Sequence, residues 1–324
     1  MLQNLRTYRF TIKEIFKEHW EVYLSWHKDT LPHYVIRTVE KMLACRDPDS
    51  LGYHKYACPE HPDQHITVPH SCKTRFCNSC GKVLTDKWVE KIEKDFPATS
   101  FHHICFTVPS ELRQLFDECR FLLNCLFRAS ADTVLSWSKE RHFLPAIVSC
   151  CHTFGRDLKF HPHIHMLITA GGVDLKRQKL NRWKECSFIP YTMLHKRFRF
   201  LLIQALKETI EKHLKESPDP DKKLLPFSQP GVLDSFFDPL LKINWYVHDS
   251  AELPNEDFTV SYIVRYAKRP PLSEWRILDY ANDPDSDKHR VTFSYKERRQ
   301  PEVKWTVPVE KFISLLIQHI PPQN

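Results

Sequence analysis

Residues 161–169 read HPHIHMLIT. Three histidines alternate with Pro162 and Ile164, and the apolar run Met166-Leu167-Ile168 follows. In a strand the side chains of residues i and i+2 share one face. His161, His163 and His165 therefore fall on one side and Ile164 on the other. The stretch reads as a strand with one ligating face and one buried face. His163 and His165 at this spacing can grip one cation, and such a site needs a third donor. His152, at the end of the β-rich run 146–153 (AIVSCCHT), supplies it if the two strands pair; Asp157 and His161 are the alternatives.

The flanking sequence sets the fold class. Further β-rich runs lie at 101–108 (FHHICFTV), 243–248, 290–295 and 302–307. Helical periodicity covers 11–44, interrupted by Pro32, and then 82–95, 110–138, 193–216, about 258–268 and 309–319. Pro270-Pro271 ends the helix at 258–268. Strands and helices do not alternate regularly, so the fold is α+β. Three regions follow: a helical, cysteine-rich region at 1–96, the histidine-strand domain at 97–280, and a C-terminal extension at 281–324.

The composition narrows the function. The chain has 324 residues, 42% of them hydrophobic, which excludes wholesale disorder. Only 6 residues are glycine, and neither G-x-x-x-x-G-K-[ST] nor G-x-G-x-x-G occurs, so a nucleotide cofactor is not expected. No apolar run approaches the ~18 residues of a membrane span, and no signal-peptide core opens the chain, so a cytoplasmic protein is expected. The net charge of +7 says little as a total. Residues 174–216, however, hold 11 Lys/Arg against 5 Asp/Glu, with aromatics interleaved, which suits a polyanion such as nucleic acid or a solvated amphipathic helix.

Five of the 11 cysteines (Cys45, Cys58, Cys72, Cys77 and Cys80) fall within 36 residues. Cys58-x2-His61 and Cys77-x2-Cys80 are two knuckles that together can close a tetrahedral, structural Zn2+ site. Cys72, Cys45, His54 and His70 are spare soft donors that substitute in it or form a second site. The six cysteines from Cys105 to Cys186 read as small buried hydrophobes.

In SYIVRYAKRPPL (261–272), Tyr262 and Tyr266 are four residues apart. On a helix that places both phenols on one face, ~5–6 Å apart at Cβ, with Arg265, Lys268 and Arg269 beside them. A phenol attacks phosphorus when the phosphate is polarised and its charge offset. A two-histidine cation site with neighbouring Arg and Lys offers both.

The ordered set SCKTRFCNSCGKVLTDKW, FHHICFTVP, CHTFGRDLKFHPHIHMLITAGG, YIVRYAKRPPL and VTFSYKERR resembles the two-tyrosine HUH transposases of the IS91 group. The resemblance runs from about residue 40 to the end. It implies an RRM- or ferredoxin-like catalytic domain with a central antiparallel sheet, preceded by a small helical zinc-binding domain. It implies cleavage and rejoining of single-stranded DNA at mobile-element ends through a 5′-phosphotyrosine. Tyr262 and Tyr266 match the nucleophile pair. His163 and His165 match the ligands of Mg2+ or Mn2+, and the segment His152-Thr153-Phe154-Gly155 strengthens His152 as the third. The zinc-binding domain it implies contains Cys58, His61, Cys77, Cys80 and Cys72, the zinc set read from spacing, and Arg265, Lys268 and Arg269 would hold DNA. It implies a bacterial, nucleoid-associated protein, is compatible with a homo-oligomer, and implies more sequence after Pro322, so 281–324 is read as an extension that ends early. The alternatives are an inactive zinc-containing DNA-binding remnant and a related HUH replication initiator or relaxase. A metallohydrolase would need further His or Asp after His165, where Met166-Leu167 stands.

Overall fold

A computed structural model describes residues 9–61, 63–95, 97, 99–176, 183–186, 189–249, 270–281, 289–296 and 300–322. It forms two compact units. The first gathers residues 1–88, 154–159 and 269–324; the second gathers 89–153 and 160–268.

The first unit begins with α1 (Ile12–His27). Thr11 opens it with a reciprocal cap: its hydroxyl accepts from the Glu14 amide at 3.2 Å, and the Glu14 carboxylate accepts from the Thr11 amide at 3.0 Å. Ile12, Ile15, Phe16, Trp20 and Tyr23 recur at helical spacing and are buried. Pro32 caps α2 (His33–Leu43), a single turn α3 (Pro48–Leu51) follows, and the hairpin β1 (Tyr53–Ala57) and β2 (His65–Pro69) leads towards α4 (Asn78–Asp95).

The C-terminal residues belong to the same unit. Strands Ile277–Ala281, Arg290–Lys296 and Glu302–Pro308 form an antiparallel sheet, and helix Val309–Ile317 follows it. Phe293, Phe312, Ile313 and Leu316 share one apolar core with Phe16, Trp20 and Val39. The segment expected as an extension is thus grouped with the N-terminal helices. Its apolar residues need a surface to cover, and the inner face of α1 provides it.

The second unit is built on a four-stranded sheet in the order β5 (Ile147–Phe154), β6 (Phe160–Thr169), β3 (Phe101–Thr107), β9 (Val247–Asp249). β3 pairs antiparallel with β6 and with β9. On β6, Ile164, Met166 and Ile168 point into the core; on β3, Ile104 and Phe106 do. That face is covered by α6 (Leu123–Glu140) and α7 (Tyr191–Glu216), which present Leu126, Val134, Trp137, Leu194, Phe198, Leu202 and Leu206. Each fully buried Ile, Leu or Phe here contributes about 1.5–3 kcal/mol. The helical region expected at 110–138 is α5 (Ser110–Glu118), a 3-10 turn, and α6.

A small second sheet joins Phe143–Leu144, Gly171–Asp174 and Trp183–Glu185. Its glycines are there for close approach: a Cβ on Gly172 would run into the Leu144 carbonyl, and one on Gly171 into the Lys184 carbonyl.

Candidate metal centres

The first centre is a knot of thiols. The sulfurs of Cys45, Cys72, Cys77 and Cys80 lie within 4.8 Å of one another. Individual S···S separations are 3.6 Å (Cys45–Cys80), 3.6 Å (Cys72–Cys80) and 3.8 Å (Cys77–Cys45). A tetrahedron with Zn–S bonds of ~2.3 Å has edges of ~3.8 Å, so the donor set fits Zn2+ in number, chemistry and spacing. Two turns shape it. Arg46 and Lys73, each directly after a ligand cysteine, adopt left-handed φ values of 62° and 54°. The Cys72 amide points at the Cys45 sulfur, 3.4 Å away. Gly81 lets α4 start tightly against the knuckle, since a Cβ there would meet the Arg75 carbonyl at 2.9 Å. Within the cluster the hydrogen bond from the Cys77 thiol lowers Cys72 and raises Cys77, and burial raises Cys45; Zn2+ would take all four as thiolates.

The membership of this knot differs from the expected one. Cys77, Cys80 and Cys72 are in it, and Cys45 completes it. Cys58 and His61 sit instead at the exposed turn between β1 and β2, with Sγ and Nδ1 3.7 Å apart. The reason is topological. The hairpin is inserted between Cys45 and Cys72, and its base is closed by Arg46 N–H to the His70 carbonyl (3.0 Å) and His70 N–H to the Gly52 carbonyl (2.9 Å). That closure brings the flanking cysteines together and carries the hairpin tip outward. The spare pair His54 and His70 stacks edge-on at 4.5 Å between ring centroids.

The second centre lies on the sheet face opposite the helices. The β3–β6 register sets Cys105 opposite His165, Thr107 opposite His163 and His103 opposite Leu167. His163 and His165 have ring centroids 4.9 Å apart. His163 Nδ1 donates to the His161 carbonyl at 2.7 Å, which fixes the tautomer and turns Nε2 into the ligating nitrogen. Burial holds the His163 pKa below its ordinary value, with Arg113 acting in the same direction, so the ring is neutral and able to ligate. His165 Nδ1 contacts His103 Nε2 at 2.9 Å. Such a second ring sets the orientation of a ligand histidine.

His152 reaches this cluster from β5, as expected. Its ring packs edge-on against His165 (4.6 Å between centroids) and His163 (5.3 Å), and it is 4% exposed. The donor atoms that converge within 4.8 Å, however, are those of Cys105, His163 and His165. His161 is engaged elsewhere, its Nε2 accepting from the Arg113 guanidinium at 3.3 Å. Asp157 makes an ion pair with Lys159 at 3.0 Å.

Sequence reasoning missed Cys105, His103 and Arg113. Their signal was in FHHICFTV: His103 and Cys105 are two apart, so they share a face. Which face that is depends on pairing with β6. Burial pushes the Cys105 thiol up to about 12.

Tyr262, Tyr266, Arg265, Lys268 and Arg269 lie outside the described residues. The basic segment 174–216 is partly spent within the fold. Arg197 pairs with Glu140 at 2.9 Å, Lys207 with Asp234 and Asp238 at 2.6 and 2.8 Å, and Arg199 donates to the Ile243 carbonyl at 3.0 Å. Among the described residues no helix is long and apolar enough to cross a membrane.

Comparison with known proteins agrees with a zinc centre in the first part of the chain. Residues 15–108 match the family described as "Transposase zinc-binding domain", and residues 146–324 match the family described as "Putative transposase". The transposase for insertion sequence element IS801 of Pseudomonas savastanoi pv. phaseolicola is 32% identical over 298 residues, spanning 89% of this chain and 67% of that protein. The "Putative transposase y4qJ" of Sinorhizobium fredii (strain NGR234) is 25% identical over 327 residues, spanning 97% of this chain and 77% of its own length. No solved structure matches the chain. With a zinc-binding domain ahead of a transposase domain, and this identity across most of its length, the chain belongs to the transposases of the IS91 group.

Proposed function

We propose that this transposase cleaves and rejoins single-stranded DNA at the ends of a mobile element through a 5′-phosphotyrosine intermediate. The observation that carries the reading is the histidine face of β6. Neutral His163, with Nδ1 tied to a backbone carbonyl, stands beside His165 on a sheet whose other face is a solid apolar core. The interior position of β6 in the sheet, with helices on one side, supports an RRM-like HUH domain.

A divalent cation bound by these histidines would polarise the scissile phosphate and offset its charge. The resemblance gives the remaining roles. A phenolate oxygen of Tyr262 or Tyr266 attacks phosphorus. The P–O3′ bond breaks and the 3′ oxygen leaves, taking up a proton to become a free 3′-OH. The new phosphotyrosine conserves the phosphodiester, so no nucleotide is consumed. In the reverse sense a DNA 3′-OH attacks the phosphotyrosine, and the tyrosine oxygen leaves. Two tyrosines allow two strands to be held in turn. Arg265, Lys268 and Arg269 would neutralise the DNA backbone, and Arg113, beside His161, adds a fixed positive charge at the cluster.

The test is covalent capture. Full-length protein incubated with single-stranded oligonucleotides carrying the element ends and a divalent cation should give an adduct on a denaturing gel. The Tyr262→Phe, Tyr266→Phe double variant should give none. An undiminished adduct from that variant would overturn the assignment.

A further inference from the structure

We infer that Cys105 is the third protein ligand of the His163–His165 cation site, and that this site therefore selects thiophilic transition ions of the Zn2+, Fe2+ and Co2+ class over Mg2+. The inference deepens the proposed function by naming a ligand and the class of cation, and it rests on that reading for the role of the site.

Geometry carries it. In the antiparallel register Cys105 is directly opposite His165, so both side chains leave the sheet on the same face. The sulfur and the two imidazoles converge within 4.8 Å, a set that His152 does not join. The neighbours explain why. His152 meets His163 and His165 ring edge to ring face, at interplanar angles of 85° and 66°. His103 is in contact with His165 Nδ1, and His161 with Arg113.

The donor chemistry then selects the ion. Mg2+ demands octahedral oxygen ligation at ~2.0–2.1 Å and has little use for sulfur. Two imidazoles and a thiolate are a borderline-soft set that suits Zn2+, Fe2+ or Co2+. Three protein ligands also leave a fourth tetrahedral position open, as catalytic rather than structural zinc sites do. A non-bridging phosphate oxygen would take that position. On loading, the Cys105 S–H proton is released to solvent and the sulfur binds as thiolate.

The experiment uses the full chain with its thiol knot filled by Zn2+, titrated with Co2+. Wild type should bind one additional Co2+ with the visible bands of tetrahedral cobalt and a near-ultraviolet thiolate-to-cobalt charge-transfer band. In Cys105→Ser that band should vanish, and Co2+ affinity should fall by more than ~10-fold, since even outer-shell changes cost 10–100-fold. His152→Ala should keep the band. Cys105→Asp, which supplies oxygen in place of sulfur, should shift preference towards Mn2+ and Mg2+ and keeps the test decisive if the serine variant folds poorly. An unchanged charge-transfer band in Cys105→Ser, or displacement of Co2+ from wild type by equimolar Mg2+, would overturn the inference. The two readings fail separately. Equal adduct yields with Mg2+ from wild type and Cys105→Ser would sink the cysteine ligand and leave the tyrosine chemistry standing. Cobalt ligation through Cys105 without any adduct would do the reverse.

Discussion

The two candidate metal centres use overlapping donor chemistry in different settings. The knot at Cys45, Cys72, Cys77 and Cys80 is three thiols outside regular elements and one in the first turn of α4, with S···S spacings that already match a closed tetrahedron. The face at His163, His165 and Cys105 is three donors on two adjacent strands, backed by the apolar core of the second unit. The first centre ties separate stretches of chain to the apolar core of the first unit, in which Cys45, Cys77 and Cys80 are themselves buried. The second borrows its rigidity from a core made by other residues. On the proposed reading the first is closed and structural, and the second would leave a position for substrate.

This contrast can be broken most forcefully at the knot. Cys77→Ala should release the structural zinc and unfold the first unit, because structural zinc binding is itself folding free energy, ~10–16 kcal/mol in small zinc domains. Zinc content and loss of the cooperative melt report it. A variant that keeps both would mean the knot is held by packing alone.

The second centre should respond through its supporting face instead. Ile164 is fully buried between the two ligand histidines. Ile164→Ala should cost about 2–5 kcal/mol in urea unfolding, as large-to-small core changes do. The knot's zinc should stay in place. Thr107→Ala, on the same sheet but the opposite face, should cost far less.

Two smaller effects sharpen the assignment of ligands. Thr11→Ala removes the α1 cap and should cost about 1 kcal/mol without disturbing either centre. Cys58→Ser at the hairpin tip should change stability by no more than about 0.5 kcal/mol, as surface substitutions usually do, and leave the zinc content unaltered. Zinc loss in Cys58→Ser would restore the x2-spaced pair as ligands.

The strand at 161–169 and its two faces were legible because alternation is local; α7 was legible from helical periodicity and the strand pair 290–296 and 302–308 from its β-rich composition, which are local as well. Ligand membership was not. Cys58 and His61 have the spacing of a zinc knuckle, yet the inserted hairpin carries them away, while Cys45 and Cys72 meet across its base. Cys105 looked like one more small apolar residue until the register of β3 against β6 set it opposite His165. Hairpin closure and strand register are decided by distant pairing, which spacing alone does not encode.

The central claim is that the histidine face, not the thiol knot, is where DNA is cut. The most direct measurement is the covalent adduct of His163→Ala, made alongside its zinc content and melting curve. The account predicts at least a 100-fold loss of adduct with the thiol knot's zinc and the fold of the first unit retained. Full adduct formation by that variant, or loss of adduct only in step with loss of the knot's zinc, would contradict it.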